Sequence, residues 1–270
     1  MIRLIATDLD GTLLDSQSEL SERTVRAVSQ TMEAGAKFVL ASGRMSESTG
    51  AFAERLSTNA PIIAFNGAVA LNWRTGEVLF ERAIPAETAR AVARMAEELG
   101  IFIQYFPERG FFYGRRVPEF SDDYEGRIRM RGVELMMSLS EWIEQPAMKL
   151  LALGENAKLL ELREGILAEF PEISAMLSHP TYLEIVSGGV DKGAALRSVA
   201  ERLNVPREEI AAFGDADNDA AMIEYAGFGY AMESGDREVV RRAKFVAPSN
   251  DSEGVARVLE SLLAQNGIGG

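Results

Sequence analysis

Ile2-Arg3-Leu4-Ile5-Ala6-Thr7-Asp8-Leu9-Asp10-Gly11-Thr12-Leu13 decides how the rest of the chain is read. Residues 2–7 form a compact, β-favouring run without regular polar alternation, the pattern of a strand buried on both faces. The run ends abruptly in acids. Asp8 and Asp10, at i and i+2, would share one face of a continuing strand, and Gly11 lets the chain turn so that both border one site. The same Asp-x-Asp is equally the polar end of a strand whose acids cap a loop, and alone it decides nothing.

Outward from this stretch, residues 21–34 place Val25, Val28 and Met32 on one helical face, with Gly35 as a stop. Residues 37–41 read as a second strand, 46–56 as a helix and 61–65 as a third strand. This order, with apolar strands, predicts a parallel sheet with right-handed crossovers. Asp8, Ser42 and Asn66 each follow the carboxyl end of one strand, the edge where open parallel sheets bind ligands.

The middle differs in texture. Residues 68–71 and 77–84 flank a turn at 72–76, residues 85–99 read as a helix between Pro85 and Gly100, and apolar runs at 101–106, 111–113, 148–153, 173–177 and 182–186 surround a helix at 155–170. That is a mixed α+β pattern. After Ser187-Gly188-Gly189 the first rhythm returns: helix 192–203, strand 210–213, helix 218–225, strand 228–232 and two further short units. The chain thus reads as a discontinuous α/β core, residues 1–82 and 187–270, with a second domain inserted at 83–186. The glycine-rich tail, residues 267–270, is expected to fray.

Composition narrows the chemistry. The 270 residues carry 28 Lys plus Arg against 41 Asp plus Glu, a net charge of −13, which argues against a nucleic-acid or anionic-membrane partner. Cysteine is absent and His179 is the single histidine, so thiolate nucleophiles, disulfides and multi-histidine metal sites are excluded. The longest weakly polar stretch, residues 61–71, is interrupted by Asn66 and too short to span a bilayer, so a cytoplasmic protein is expected. Carboxylates, lysine, serine and hard cations are left to do chemistry.

Three further segments qualify. Gly214-Asp215-Ala216-Asp217-Asn218-Asp219 follows an apolar strand. Three acids in five positions repel unless neutralised, and oxygen-only ligands suit Mg²⁺ better than zinc. Helix N-termini also collect Asp and Asn, which explains Asp217 and Asp219 without a metal. Ser42-Gly43-Arg44, at a strand-to-helix turn, offers a hydroxyl and backbone N–H groups to an anion, as an ordinary loop also would. Lys192 opens a helix, either as a surface charge or as a phosphate clamp. All four segments fall at the same predicted sheet edge.

In that order, Asp8-Leu9-Asp10-Gly11-Thr12-Leu13, Ser42-Gly43-Arg44, Lys192 and Gly214-Asp215…Asn218-Asp219 resemble the four motifs of haloacid dehalogenase-like phosphohydrolases. Phe65-Asn66-Gly67-Ala68 and Asp219-Ala220-Ala221-Met222 resemble the Cof-type sugar-phosphatase branch. The stretch Ser187-Gly188-Gly189-Val190-Asp191 departs from the Pro and Asn common before the lysine. The resemblance implies a Rossmann-like parallel-sheet core with helices on both faces, plus an inserted α+β cap domain. It also implies a Mg²⁺-dependent phosphatase acting on small phosphate monoesters, with sugar phosphates foremost.

On that resemblance Asp8 is the nucleophile that forms an aspartyl-phosphate, and Asp10 is the acid and base. Ser42, Gly43, Lys192, Asn218 and the Leu9 N–H hold the phosphoryl oxygens. Mg²⁺ sits among Asp8, the Asp10 carbonyl, Asp215 and Asp219, the last as ligand or supporting partner. Arg44, Asn66 and Glu184 are candidate substrate contacts, although an outward strand position explains Glu184 nearly as well. Arg115, Arg116, Arg127, Arg129 and Arg131 in the insert would meet a second anionic group, or else form a salt-bridged surface with nearby acids. Trp73, Trp142 and residues 111–113 read as packing residues, and His179-Pro180 as a turn. A small-molecule phosphate ester is the expected partner, and monomer and homodimer are both open. Two other functions compete: a phosphomutase or phosphotransferase with the same nucleophile, and a phosphorylatable signalling domain with little turnover. Asp10 favours hydrolysis, because it supplies the leaving-group proton.

Overall fold

The computed structural model describes residues 1–128 and 130–269, with the side chain of Arg127 left out. In chain order the first segment contains β1 (Leu4–Thr7), α1 (Glu22–Glu33), β2 (Lys37–Leu40), α2 (Ser46–Leu56), β3 (Ile62–Ala64), β4 (Val69–Leu71) and β5 (Val78–Glu81). There follow α3 (Ala86–Glu98), β6 (Phe102–Phe106), β7 (Phe112–Tyr113), α4 (Pro118–Ile128), β8 (Val133–Glu134), α5 (Leu139–Trp142), β9 (Lys149–Leu153), α6 (Asn156–Glu169), β10 (Ile173–His179) and β11 (Tyr182–Ser187). The last segment contains α7 (Lys192–Arg202), β12 (Ile210–Gly214), α8 (Ala220–Tyr225), β13 (Phe228–Met232), α9 (Arg237–Arg242), β14 (Phe245–Ala247) and α10 (Gly254–Ala264). The chain divides into two compact units, Met1–Phe80 with Asp191–Gly270, and Glu81–Val190.

The first unit is built on a parallel sheet of order β14-β13-β12-β1-β2. The strands β1, β2, β12 and β13 are largely buried on both sides because successive residues feed opposite cores, whereas Phe245 and Val246 of the edge strand β14 are exposed. Ile5, Phe38, Leu40, Ala211 and Phe213 pack with α1, α2 and α10, whereas Leu4, Ala6, Val39, Ile210 and Ala212 pack with α7 and α8. The helices start and stop on local chemistry. The Ser21 hydroxyl accepts the Thr24 N–H at 3.1 Å to cap α1, and the Asp191 carboxylate accepts the Ala194 N–H at 2.7 Å to cap α7.

Three expectations change here. First, β3 is not a full member of the parallel sheet. It meets the sheet through one parallel bridge, Ala41 to Ile63, and pairs antiparallel with β4 in a separate sheet of order β3-β4-β5. The reason lies in the next residues: Phe65, Asn66 and Gly67 all take positive φ (50°, 58° and 103°), which turns the chain before a longer ladder can form. Second, the tail is held rather than frayed through Gly269. The Ile2 N–H donates to the Gly267 carbonyl at 2.7 Å, the Gly269 N–H to the Ile2 carbonyl at 3.1 Å, and Ile268 is buried. Gly270 lies outside the described residues. Third, β1 ends at Thr7 and does not continue through Asp10: residues 9–13 form a wide turn in which Asp10 (φ −78°, ψ 123°) and Gly11 (φ +77°) depart from helical angles.

The second unit has a sheet of order β10-β11-β9-β6-β7-β8, antiparallel except between β7 and β8. One face packs Ile103, Tyr105, Leu150, Ala152, Leu183 and Ile185 against apolar residues of α3 and α6. The Tyr124 ring of α4 packs edge-on to Phe106 and Phe111. This unit extends to Val190, beyond the expected boundary at residue 186. The Gly188 N–H binds the Glu172 carbonyl and Arg82 donates to the Gly188 carbonyl at 3.1 Å, so the stretch is tied into this unit. Helices α4 and α5 were not expected, because their segments carry charge runs rather than a clear apolar period.

Candidate active site

Asp8 leaves the end of β1 with its N–H bonded to the Phe213 carbonyl of β12 at 3.0 Å. Parallel pairing of β1 with β12 therefore brings Asp8 beside the turn that carries Asp215 and Asp219. Lys192, the first residue of α7, donates to Asp8 Oδ1 and to Asp219 Oδ1, both at 2.6 Å. All three side chains are nearly sealed from solvent. The other Asp219 oxygen accepts the N–H groups of Asp215 and Ala216 at 3.0 and 3.1 Å, which folds the turn back on itself. Thr12 donates to Asp215 Oδ1 at 2.8 Å.

One lysine does not neutralise this many acids. Burial is the main force raising the Asp8 pKa; Lys192 opposes it, the charges of Asp219, Asp215 and Asp10 add to it, and the net position is well above an ordinary carboxylate. Asp215 is pushed up to about 6, first by burial and then by the Asp219 charge, against the Thr12 hydrogen bond. Burial alone would lower the Lys192 pKa, but Asp219 and Asp8 outweigh it and hold the ammonium well above its ordinary value. Carboxylate oxygens of Asp8, Asp215 and Asp219 lie within 4.8 Å of one another. An oxygen-only cluster carrying excess negative charge fits a hard divalent cation.

The other expected site residues fall into two groups. Ser42 is buried, and its hydroxyl accepts the Arg44 N–H at 3.1 Å. Asn218 donates to Asn66 Oδ1 at 3.0 Å, and a Cβ on Gly43 would lie 2.7 Å from that same oxygen. Ser42, Gly43, Asn66 and Asn218 thus form one connected patch, in which a side chain at residue 43 would have to displace the Asn66 amide. Asp10 instead points towards Arg44, which grips both of its oxygens at 2.6 and 2.7 Å, and Asp10 is half exposed. β1 ends at Thr7, so Asp8 and Asp10 do not share the face of a continuing strand. Arg44 in this arrangement holds Asp10.

Residues of the second unit have their own partners. Glu184 pairs with Lys149 Nζ at 3.1 Å, and Lys149 is buried. Arg116 joins Glu125 at 2.8 Å and also Asp122, so the salt-bridged alternative describes this arginine. Arg129 and the Arg127 side chain lie outside the described residues. His179 Nδ1 sits 2.8 Å from the Thr181 hydroxyl in the β10–β11 turn.

Two contributors escaped the sequence reading. Thr12 stands inside the quoted motif, but only the fold shows it reaching residue 215. Gly67 has φ +103°, and a Cβ there would come within 2.3 Å of the Asp191 carbonyl, so the loop presses on the start of the helix bearing Lys192. A glycine following Asn66 was the available signal. Gly11 is the more exposed test: alanine would need φ +77° with its Cβ 2.5 Å from Asp215 Oδ2. Gly11→Ala is expected to lose about 1–3 kcal/mol in urea unfolding. An unchanged midpoint and slope would contradict this loop geometry.

The model of the haloacid dehalogenase-like hydrolases matches residues 5–259. The chain belongs to this family. This hydrolase is 28% identical over 260 residues to a putative phosphatase of Haemophilus influenzae, covering 96% of this chain and 98% of that protein. A 5-amino-6-(5-phospho-D-ribitylamino)uracil phosphatase of Bacillus subtilis is 25% identical over 268 residues, covering 95% and 96%. Among solved structures, a haloacid dehalogenase-like hydrolase from Bacteroides thetaiotaomicron superposes with a TM-score of 0.90 at 29% identity, covering 97% of this chain and all of that one. Among the described residues of this hydrolase, no helix is long and apolar enough to cross a membrane.

Proposed function

We propose that this hydrolase is a Mg²⁺-dependent phosphatase that cleaves small phosphate monoesters through a phosphoryl group carried on Asp8. The observation that carries the reading is the buried contact of Asp8 with Lys192 beside Asp215 and Asp219. A carboxylate desolvated this completely, in an acidic cluster, is a poor structural choice and a good nucleophile once its neighbours are neutralised.

Asp8, the Asp10 backbone carbonyl and Asp215 would hold Mg²⁺, with Asp219 supporting the turn and the lysine. When bound, the ion supplies charge neutralisation for the phosphoryl oxygens. Lys192 and Ser42, with the N–H groups of Leu9 and Gly43 and the Asn218 amide, orient those oxygens for in-line attack. Asp8 Oδ forms a bond to phosphorus as the bond from phosphorus to the ester oxygen breaks. Asp10 gives its proton to the departing oxygen. It then takes a proton from water as that water attacks phosphorus, releasing phosphate and free Asp8. Arg44 sets where the Asp10 carboxylate rests between turnovers.

The unit Glu81–Val190 is the cap domain in this reading, and recognises the leaving group. Two considerations support a phosphorylated sugar or sugar alcohol as substrate: the resemblance to the Cof-type branch, and the Bacillus relative that acts on a phosphoribityl compound. Purified protein is expected to hydrolyse p-nitrophenyl phosphate and then phosphorylated sugars with Mg²⁺, to stop with EDTA, and to recover on Mg²⁺ addition. Full turnover in EDTA would contradict the reading.

Metal binding should also carry a pH signature. In the metal-free fold Asp215 keeps its proton up to about 6, while the unfolded chain releases it at the ordinary carboxylate value. The folded state binds more protons across that window, so metal-free stability falls as pH rises through it. Mg²⁺ replaces those protons. The rise in melting temperature on adding Mg²⁺ is therefore expected to be larger near pH 7.5 than near pH 5, and a pH-independent rise would contradict the assignment of ligands.

A further inference from the structure

The second unit contains a cleft of about 570 Å³ lined entirely by its own residues, separate from the residues given roles above. Its size lies in the range of small-molecule sites. Phe112 and Trp142, both partly exposed, supply an aromatic surface with ring centroids 4.7 Å apart, and the buried Tyr105 backs it edge-on to Trp142 at 6.1 Å. Glu108, Glu141 and Glu144 line it too, against one guanidinium, Arg109. None of these four makes an ion pair among the described residues, so the local charge is negative and uncommitted.

The walls are pre-set. Tyr105 is buried, and its hydroxyl donates to the carbonyls of Gln145 and Pro146 at 3.0 and 3.1 Å. Helix α5, which carries Glu141 and Trp142, is only four residues long and is pinned from outside. The Glu97 carboxylate of α3 accepts the Leu139 N–H at 2.7 Å and the hydroxyls of Ser138 and Ser140 at 2.8 and 2.6 Å. A rigid aromatic surface bordered by carboxylates suits a cation with an apolar body: the rings attract positive charge through their faces, and the carboxylates take its N–H groups. An anionic ligand meets the opposite field.

We propose that this cleft is a binding site for an organic ammonium compound with an aromatic or apolar body, distinct from the phosphoryl site. The test uses the full chain with Trp73→Phe, so that Trp142 is the one remaining tryptophan, titrated with phenethylammonium by calorimetry and fluorescence. Phenethyl alcohol, its neutral near-isostere, and phenylpropionate, an anion, are the comparisons. The ammonium is expected to bind at least about tenfold more tightly than the alcohol and to perturb Trp142 emission. It should weaken by a similar factor in the surface variant Glu141→Gln/Glu144→Gln, and bind unchanged in Asp8→Asn. Absence of binding, equal affinity for the alcohol, full affinity in the glutamine variant, or loss of binding in Asp8→Asn would each overturn the proposal.

Discussion

Asp8→Asn is expected to lower kcat for p-nitrophenyl phosphate by about 10³-fold or more while the fold persists, in keeping with the loss of a nucleophile. The two side chains have the same shape. The asparagine amide still offers Lys192 an oxygen at the position where Asp8 Oδ1 now accepts at 2.6 Å, so packing and the lysine's place are retained. What is lost is the charge. An amide oxygen is too weak a nucleophile to attack a phosphate ester, and no other residue at this position of the fold replaces it. Removing one acid from a crowded, buried cluster also relieves repulsion with Asp215 and Asp219, so metal-free Asp8→Asn should melt no lower than the parent. Turnover equal to the parent's, at equal Mg²⁺, would contradict the role given to Asp8.

The second large effect is on stability. Lys192→Met keeps most of the side-chain length and apolar stem but removes the buried cation that touches both Asp8 and Asp219. Two carboxylates would then sit in a nearly dry environment without it, and Asp219 would keep only its two backbone N–H donors. Breaking a buried ion pair from one side costs about 3–5 kcal/mol, far more than the pair contributes relative to an apolar replacement. Urea unfolding of metal-free Lys192→Met should show a loss in that range. The double variant Lys192→Met/Asp219→Asn should recover part of it, since one stranded charge is gone. A loss under about 1 kcal/mol would mean that the lysine is solvated like a surface side chain, contrary to its burial.

The core was legible because its physics is local. Residues 4–7, 37–40, 210–214 and 228–232 are short, mainly apolar runs, and each forms a parallel strand. The convergence of Asp8, Lys192, Asp215 and Asp219 follows from that strand order, since sites collect at the carboxyl edge of such sheets. What the residue pattern concealed depended on backbone angles and distant partners. The partner of Asp10 was not legible, because the arginine that holds it lies 34 residues away. The third strand forms where expected, but its pairing with β4 in a separate sheet was not legible, because it depends on left-handed backbone at Phe65 and Asn66, which nothing in residue type besides Asn and Gly announces. Short helix α5 depends on Glu97, more than forty residues earlier, to satisfy its first N–H groups. Ile268 was hidden for a related reason, because a glycine-rich tail looks free until Ile2 is seen to pair with it.

The claim on which the account rests is that phosphorus is transferred to Asp8. Rapid acid quench of the Mg²⁺-loaded enzyme during turnover, followed by digestion and mass spectrometry, tests it directly. One added phosphoryl group is expected on the peptide containing Asp8, appearing before free phosphate accumulates and absent in Asp8→Asn. Turnover with no phosphorylated peptide at any quench time and inversion of configuration at phosphorus, or a phosphoryl group on a different residue, would contradict it.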